Sequence, residues 1–167
     1  SFSRRQRQMC IRDRINTGDG TIQQAKNWIE YMIGSINTKY GKLRYKNGRK
    51  NPYELQTIFI GNEMFGGWQI GHTDPITYAN KYNSFVKELK KLNKKLRFIA
   101  VGACSDHFGH WNEYVLKNIK EKIDELSVHY YSIRTEKDKK HPNYKTRYIP
   151  TVAAATEVRL MLDRTIR

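Results

Sequence analysis

The chain has 167 residues, enough for a domain with a real core but short of the roughly 250 that a complete TIM barrel needs. It is 38% hydrophobic and 12% aromatic, with no apolar run of about 18 residues to cross a membrane as a helix. Its net charge of +15 raises the question of nucleic acid, but acidic residues are interspersed with the basic ones, and Lys, Asn, Ile and Tyr are abundant throughout, so a solvated basic surface is the expectation.

Cys10 and Cys104 make neither a disulfide framework nor a metal-ligand spacing, and isolated thiols are expected. Residues 1–14 hold five Arg and one Asp with no usable hydrophobic period or signal-peptide core. They read as a non-native or disordered lead-in, with the domain starting at Ile15.

From there the pattern is regular. Ile15 to Gly20 reads as a strand end and turn, and Thr21 as the N-cap of a helix to about Ile33, with Ala25, Trp28, Ile29 and Met32 on one face. Gly34 to Pro52 reads as a long polar loop. Gln56 to Ile60 suits a buried parallel strand. Asn62 to Thr73 is a loop rich in Gly and aromatics, after which Asp74-Pro75 opens a helix. Leu96 to Val101 is the next strand, a helix follows over about His110 to Ile123, and Leu126 to Tyr131 is a further strand. A polar loop to Tyr148 and a helix over about Thr151 to Ile166 complete the chain. Alternation of this kind means parallel βα units, shared by open sheets and closed barrels. No dinucleotide fingerprint or P-loop is present.

Parallel α/β proteins work at the C-terminal ends of their strands. One such end is Asn62-Glu63, a second is Gly102 to His107, and a third is His129-Tyr130-Tyr131. Glu63 stands among Met64, Phe65 and Trp68, where lost hydration is expected to raise its pKa and keep a proton available near neutral pH. Asn62 can hydrogen-bond a sugar hydroxyl. Taken by themselves, these residues fit bland roles: Glu63 as a helix cap or the partner of a Lys, Trp68 as packing, His129 as a satisfied core histidine.

The segment Ile60-Gly61-Asn62-Glu63-Met64-Phe65-Gly66-Gly67-Trp68-Gln69-Ile70-Gly71-His72 resembles the family 51 glycoside hydrolases, the α-L-arabinofuranosidases. The likeness extends to Asn16-Thr17-Gly18, Trp28-Ile29-Glu30-Tyr31, Gly41-Lys42-Leu43-Arg44, Asn51-Pro52-Tyr53, Ile99 to Gly102, Trp111-Asn112 and Ser127 to Tyr131. It implies an α/β fold that is part of a (β/α)8 TIM barrel, roughly from the third helix to the sixth, and a retaining mechanism with two carboxylates. Glu63 matches the general acid/base. Asn62 matches a residue that binds the arabinofuranose, and Trp68 an aromatic near the sugar. His129 and Tyr131 match residues that line the site and orient the nucleophile. The nucleophile itself has no counterpart: Glu113, Glu125 and Glu136 stand at the wrong places.

The implied reaction is release of terminal α-L-arabinofuranosyl groups from arabinan, arabinoxylan or their oligosaccharides, with no metal or organic cofactor. The chain by itself is expected to be inactive. The resemblance implies no nucleic-acid or membrane partner; it suggests a homo-oligomer and leans towards the cytoplasm. The rival readings are a related glycosidase, such as an endoglucanase or xylosidase using the same residues, and a non-enzymatic basic module for nucleic acid or acidic polysaccharide.

Overall fold

The computed structural model describes residues 11–103 and 108–129, together with helical residues at 156, 158–160 and 163. Four strands form one sheet in the order β1-β2-β3-β4, and every neighbouring pair is parallel. They are β1 (Ile11–Ile15), β2 (Leu55–Ile60), β3 (Arg97–Val101) and β4 (Glu125–Ser127). The helices α1 (Ile22–Ile33), α2 (Lys39–Lys46), α3 (Pro75–Leu89) and α4 (Trp111–Asn118) lie in the connections. The α/β alternation with a parallel sheet is therefore as expected.

The helices start where their caps dictate. Thr21 accepts from the Gln24 amide while the Gln24 side chain accepts from the Thr21 amide, a reciprocal capping box. The Asp74 carboxylate accepts from the amides of Ile76 and Thr77, with Pro75 at the first helical position. Ala25, Ile29 and Met32 of α1 and Tyr78, Tyr82, Phe85, Val86 and Leu89 of α3 are buried in the same core as Ile58, Ile60, Phe98 and Ala100 of the strands. The fully buried Tyr78 ties the ends of β2 and β3 together: its hydroxyl donates to the Ile60 carbonyl at 2.8 Å and accepts from the Val101 amide at 2.7 Å.

Three expectations need correction. Residues 11–14 are not lead-in: they belong to β1, paired with β2 in register Arg12↔Thr57 to Ile15↔Ile60, and Arg14 lies over the Phe59 ring at 4.9 Å. The stretch 34–52 is not all loop, because Thr38 caps α2 by accepting from the Gly41 amide. The helix after β3 ends at Asn118, since the chain turns extended at Ile119. Tyr131 and the loop to Tyr148 lie outside the described residues.

Candidate active site

All four strands point their C-terminal ends to the same edge of the sheet, and Asn62, Glu63, Trp68 and His129 lie there. β2 leaves the sheet through Gly61, whose φ of +90° places it in the left-handed region; a Cβ at this position would stand 2.5 Å from Thr17 Oγ1. Glu63 also has positive φ, +45°, unusual for a residue with a side chain. Held conformations of this kind gather at functional sites.

The loop behind Glu63 is pinned at several points. Met64 is buried, with its sulfur 3.4 Å from the buried Thr17 hydroxyl, and its carbonyl accepts from the Thr73 amide at 2.9 Å. The Glu63 carbonyl accepts from the Gly66 amide at 2.8 Å. Further along, Gly71 meets Gly18 of the β1 turn so closely that a Cβ on Gly71 would stand 2.6 Å from the Gly18 Cα.

The Glu63 side chain, 13% exposed, has both carboxylate oxygens engaged. Nδ1 of His129 lies 2.7 Å from Oε1, and Nε1 of Trp68 donates to Oε2 at 2.8 Å. Burial is the largest single influence on the carboxyl and pushes its pKa up. The hydrogen bonds from His129 and Trp68, the His129 charge and a further bond from Gln69 together outweigh it, so the pKa lies below the ordinary glutamate value. The raised pKa expected from burial alone is thus corrected: His129, 66 residues away, and the Trp68 and Gln69 side chains of Glu63's own loop together reverse it.

Trp68 is 65% exposed, yet it makes edge contacts with Phe65 and Phe108. The Phe65 and Phe108 rings stand 4.2 Å apart, with Trp111 beneath Phe65. Asn62 is half-buried and makes no hydrogen bond with another described residue. At the end of β3, Trp111 Nε1 donates to the Val101 carbonyl at 2.9 Å. Asn112 clasps Ala103, accepting from its amide at 2.8 Å and donating to its carbonyl at 3.0 Å. Gly102 leaves room for β4: a Cβ there would stand 2.5 Å from the Ser127 carbonyl.

Glu63 is therefore in direct contact with both Trp68 and His129, and Asn62 precedes it in the chain. Tyr131 is not among the described residues. Gln69, Phe108 and Asn112 were not singled out for roles in the sequence. Position was the one signal for Gln69 and Asn112, which fall within segments resembling the glycosidase family; Phe108 had none.

Residues 9–148 match the family model described as Alpha-L-arabinofuranosidase 1 domain. The chain belongs to this family. Asn62, Glu63, Trp68, His129 and Tyr131 all fall inside the matched stretch of the arabinofuranosidase domain. Over 104 residues, 62% of its length, the chain is 39% identical to the probable α-L-arabinofuranosidase C of Aspergillus clavatus. Over 156 residues, 86% of its length, it is 30% identical to the intracellular exo-α-(1→5)-L-arabinofuranosidase of Bifidobacterium longum. The α-L-arabinofuranosidase of Thermotoga maritima, solved in complex with arabinose, is similar over 90% of the chain at 34% identity and a TM-score of 0.71. The chain spans only 20%, 28% and 30% of these three relatives, respectively.

Proposed function

We propose that Glu63 is the general acid/base of a retaining glycosidase that releases terminal α-L-arabinofuranosyl groups from arabinan, arabinoxylan or their oligosaccharides. The observation that carries this is Glu63 itself: a partly desolvated carboxylate at the C-terminal end of a buried parallel strand, clamped by His129 and Trp68. In this reading the sheet and its helices are part of a (β/α)8 barrel, from about its third helix to its sixth. Membership of the arabinofuranosidase family favours this over the endoglucanase and xylosidase readings.

Glu63 protonates the leaving oxygen and then removes a proton from the incoming water. Asn62 bonds a sugar hydroxyl, Trp68 covers the sugar, and His129, with Tyr131, fixes the carboxylates. The acid/base steps call for no metal or organic cofactor.

The low pKa of Glu63 fits one half of a pair. Among the described residues, no other carboxylate figures among the groups that shift it. The nucleophile comes from outside the described residues, and an ionised carboxylate brought close would push the Glu63 pKa up, as like charges do. Formation of the glycosyl-enzyme removes that charge and lowers the pKa again, which suits the base step. The test is Glu63→Gln in the full-length protein, assayed for arabinose release from arabino-oligosaccharides. A loss of about 10²–10⁴-fold is expected. Activity near that of the parent would reject the assignment.

A further inference from the structure

The positive charge is not evenly balanced over the surface. Lys90, Lys91, Arg97, Lys117 and Lys122 each pair with a carboxylate. Lys94, Lys95 and Lys120 are exposed without an ion pair to a described residue, but the segment around α2 gathers more such cations in one stretch. Between Glu30 and Glu54 there is no acidic residue, while Lys39, Lys42, Lys46, Arg49 and Lys50 are all exposed. None of these five forms an ion pair with a described residue, and the nearby Glu30 carboxylate is occupied by the Tyr40 amide at 2.8 Å. Lys39, Lys42 and Lys46 recur at helical spacing on one face of α2, over about 10 Å of helix axis.

Apolar surface is interleaved with this charge. Leu43 is 43% exposed and Tyr45 54%. The Arg49 guanidinium lies over the Tyr53 ring at 4.1 Å, and its Nε donates to the Asn51 carbonyl. Arg44 is fully buried and donates to the carbonyls of Tyr31, Gly34 and Lys50, locking α2 against the end of α1. Since α2 precedes the start of β2 and Glu63 follows its end, this face lies at the opposite end of the sheet from the active-site candidate.

We propose that the α2 face is a second glycan-binding surface, which takes a carboxylate-bearing polysaccharide such as a polyuronide. Rows of lysines supply point charges for singly charged carboxylates, and Leu43 and Tyr45 supply apolar area for the sugar rings between them. Only Arg49 offers the planar fork typical of phosphate recognition. The choice of a glycan over a nucleic acid rests on the reading of Glu63 as a glycosidase residue; the unpaired cations do not.

The test is binding of the chain to polygalacturonate, with neutral arabinan and duplex DNA in parallel. Polygalacturonate is expected to bind, to weaken about tenfold or more between about 50 and 200 mM salt, and to outcompete DNA, while arabinan does not bind this face. The triple variant Lys39→Gln, Lys42→Gln, Lys46→Gln should lose about tenfold in affinity or more, since each lysine removed takes its share of counterion release with it. The triple variant Lys94→Gln, Lys95→Gln, Lys120→Gln has the same net charge and should bind as the parent does. Equal loss in both variants, no binding to polygalacturonate, or tighter binding to DNA would overturn the proposal. Failure of the Glu63 assignment would show separately, in hydrolysis, which neither variant touches.

Discussion

Nδ1 of His129 stands 2.7 Å from Oε1 of Glu63, joining the ends of β4 and β2 across the intervening strand β3. The contact links residues 66 apart in sequence, so it forms only when the parallel sheet is assembled. An ionised Glu63 needs a donor there, which places a proton on Nδ1.

One consequence is a dependence on pH with a definite sign. The Glu63 pKa is lowered on folding, so its ionised form contributes stability above the unfolded-state pKa, and that contribution is lost as pH falls through the folded value. His129→Ala should move the Glu63 midpoint upward in carboxyl NMR titrations. It should also destabilise the chain more at pH near 7 than in acid well below the ordinary glutamate value of 4.5. A midpoint unmoved by the substitution would contradict the role given to His129.

Arg44 makes a different prediction, of stability without function. It bonds four carbonyls, those of Tyr31, Gly34, Lys50 and Met32, at 2.7, 2.8, 3.2 and 3.4 Å from full burial. Arg44→Met keeps much of the volume but leaves those carbonyls without their charged donor. Urea unfolding at neutral pH should show a loss of about 3 kcal/mol, the scale of charge-assisted bonds broken in the interior. The Glu63 midpoint should not move, because α2 lies at the other end of the sheet.

Gly71 tests the coupling between the two loops at the active edge. Its φ is +74°, and a Cβ would run into the Gly18 backbone. Gly71→Ala should cost about 1–3 kcal/mol from backbone strain alone and shift the Glu63 midpoint by moving the loop that carries Trp68. Thermal unfolding and the same NMR titration measure both. An Ala variant with the parent's stability would mean that the loops are not packed as described.

Much of this was legible in the sequence. Capping residues and apolar spacing place α1 and α3, and Asn62, Glu63 and His129 stand at strand ends where chemistry is expected, with Trp68 in the loop that follows the first of them. What escaped depends on contacts distant in sequence. The stretch Ile11–Arg14 looks foreign because Arg12 and Arg14 break its apolar character; pairing with β2 and the packing of Arg14 on Phe59 make it a strand. α2 hid between Gly34 and Gly48, because its stability comes from the Thr38 cap and from Arg44 reaching back to α1. The direction of the Glu63 pKa shift is not legible in the sequence, because burial can be judged from neighbours, whereas the approach of His129 from β4 and the turn of the nearby Trp68 indole back onto the carboxylate cannot.

The central claim is that Glu63 donates the proton to the leaving group, and leaving-group dependence measures this most directly. In the full-length protein, Glu63→Ala should be compared with the parent on aryl α-L-arabinofuranosides whose phenols span acidic to weakly acidic. The account predicts a loss concentrated on the weakly acidic phenols, reaching about 10²-fold or more, with the most acidic ones still cleaved to the glycosyl-enzyme. A loss equal across the whole series, or no loss at all, would contradict it.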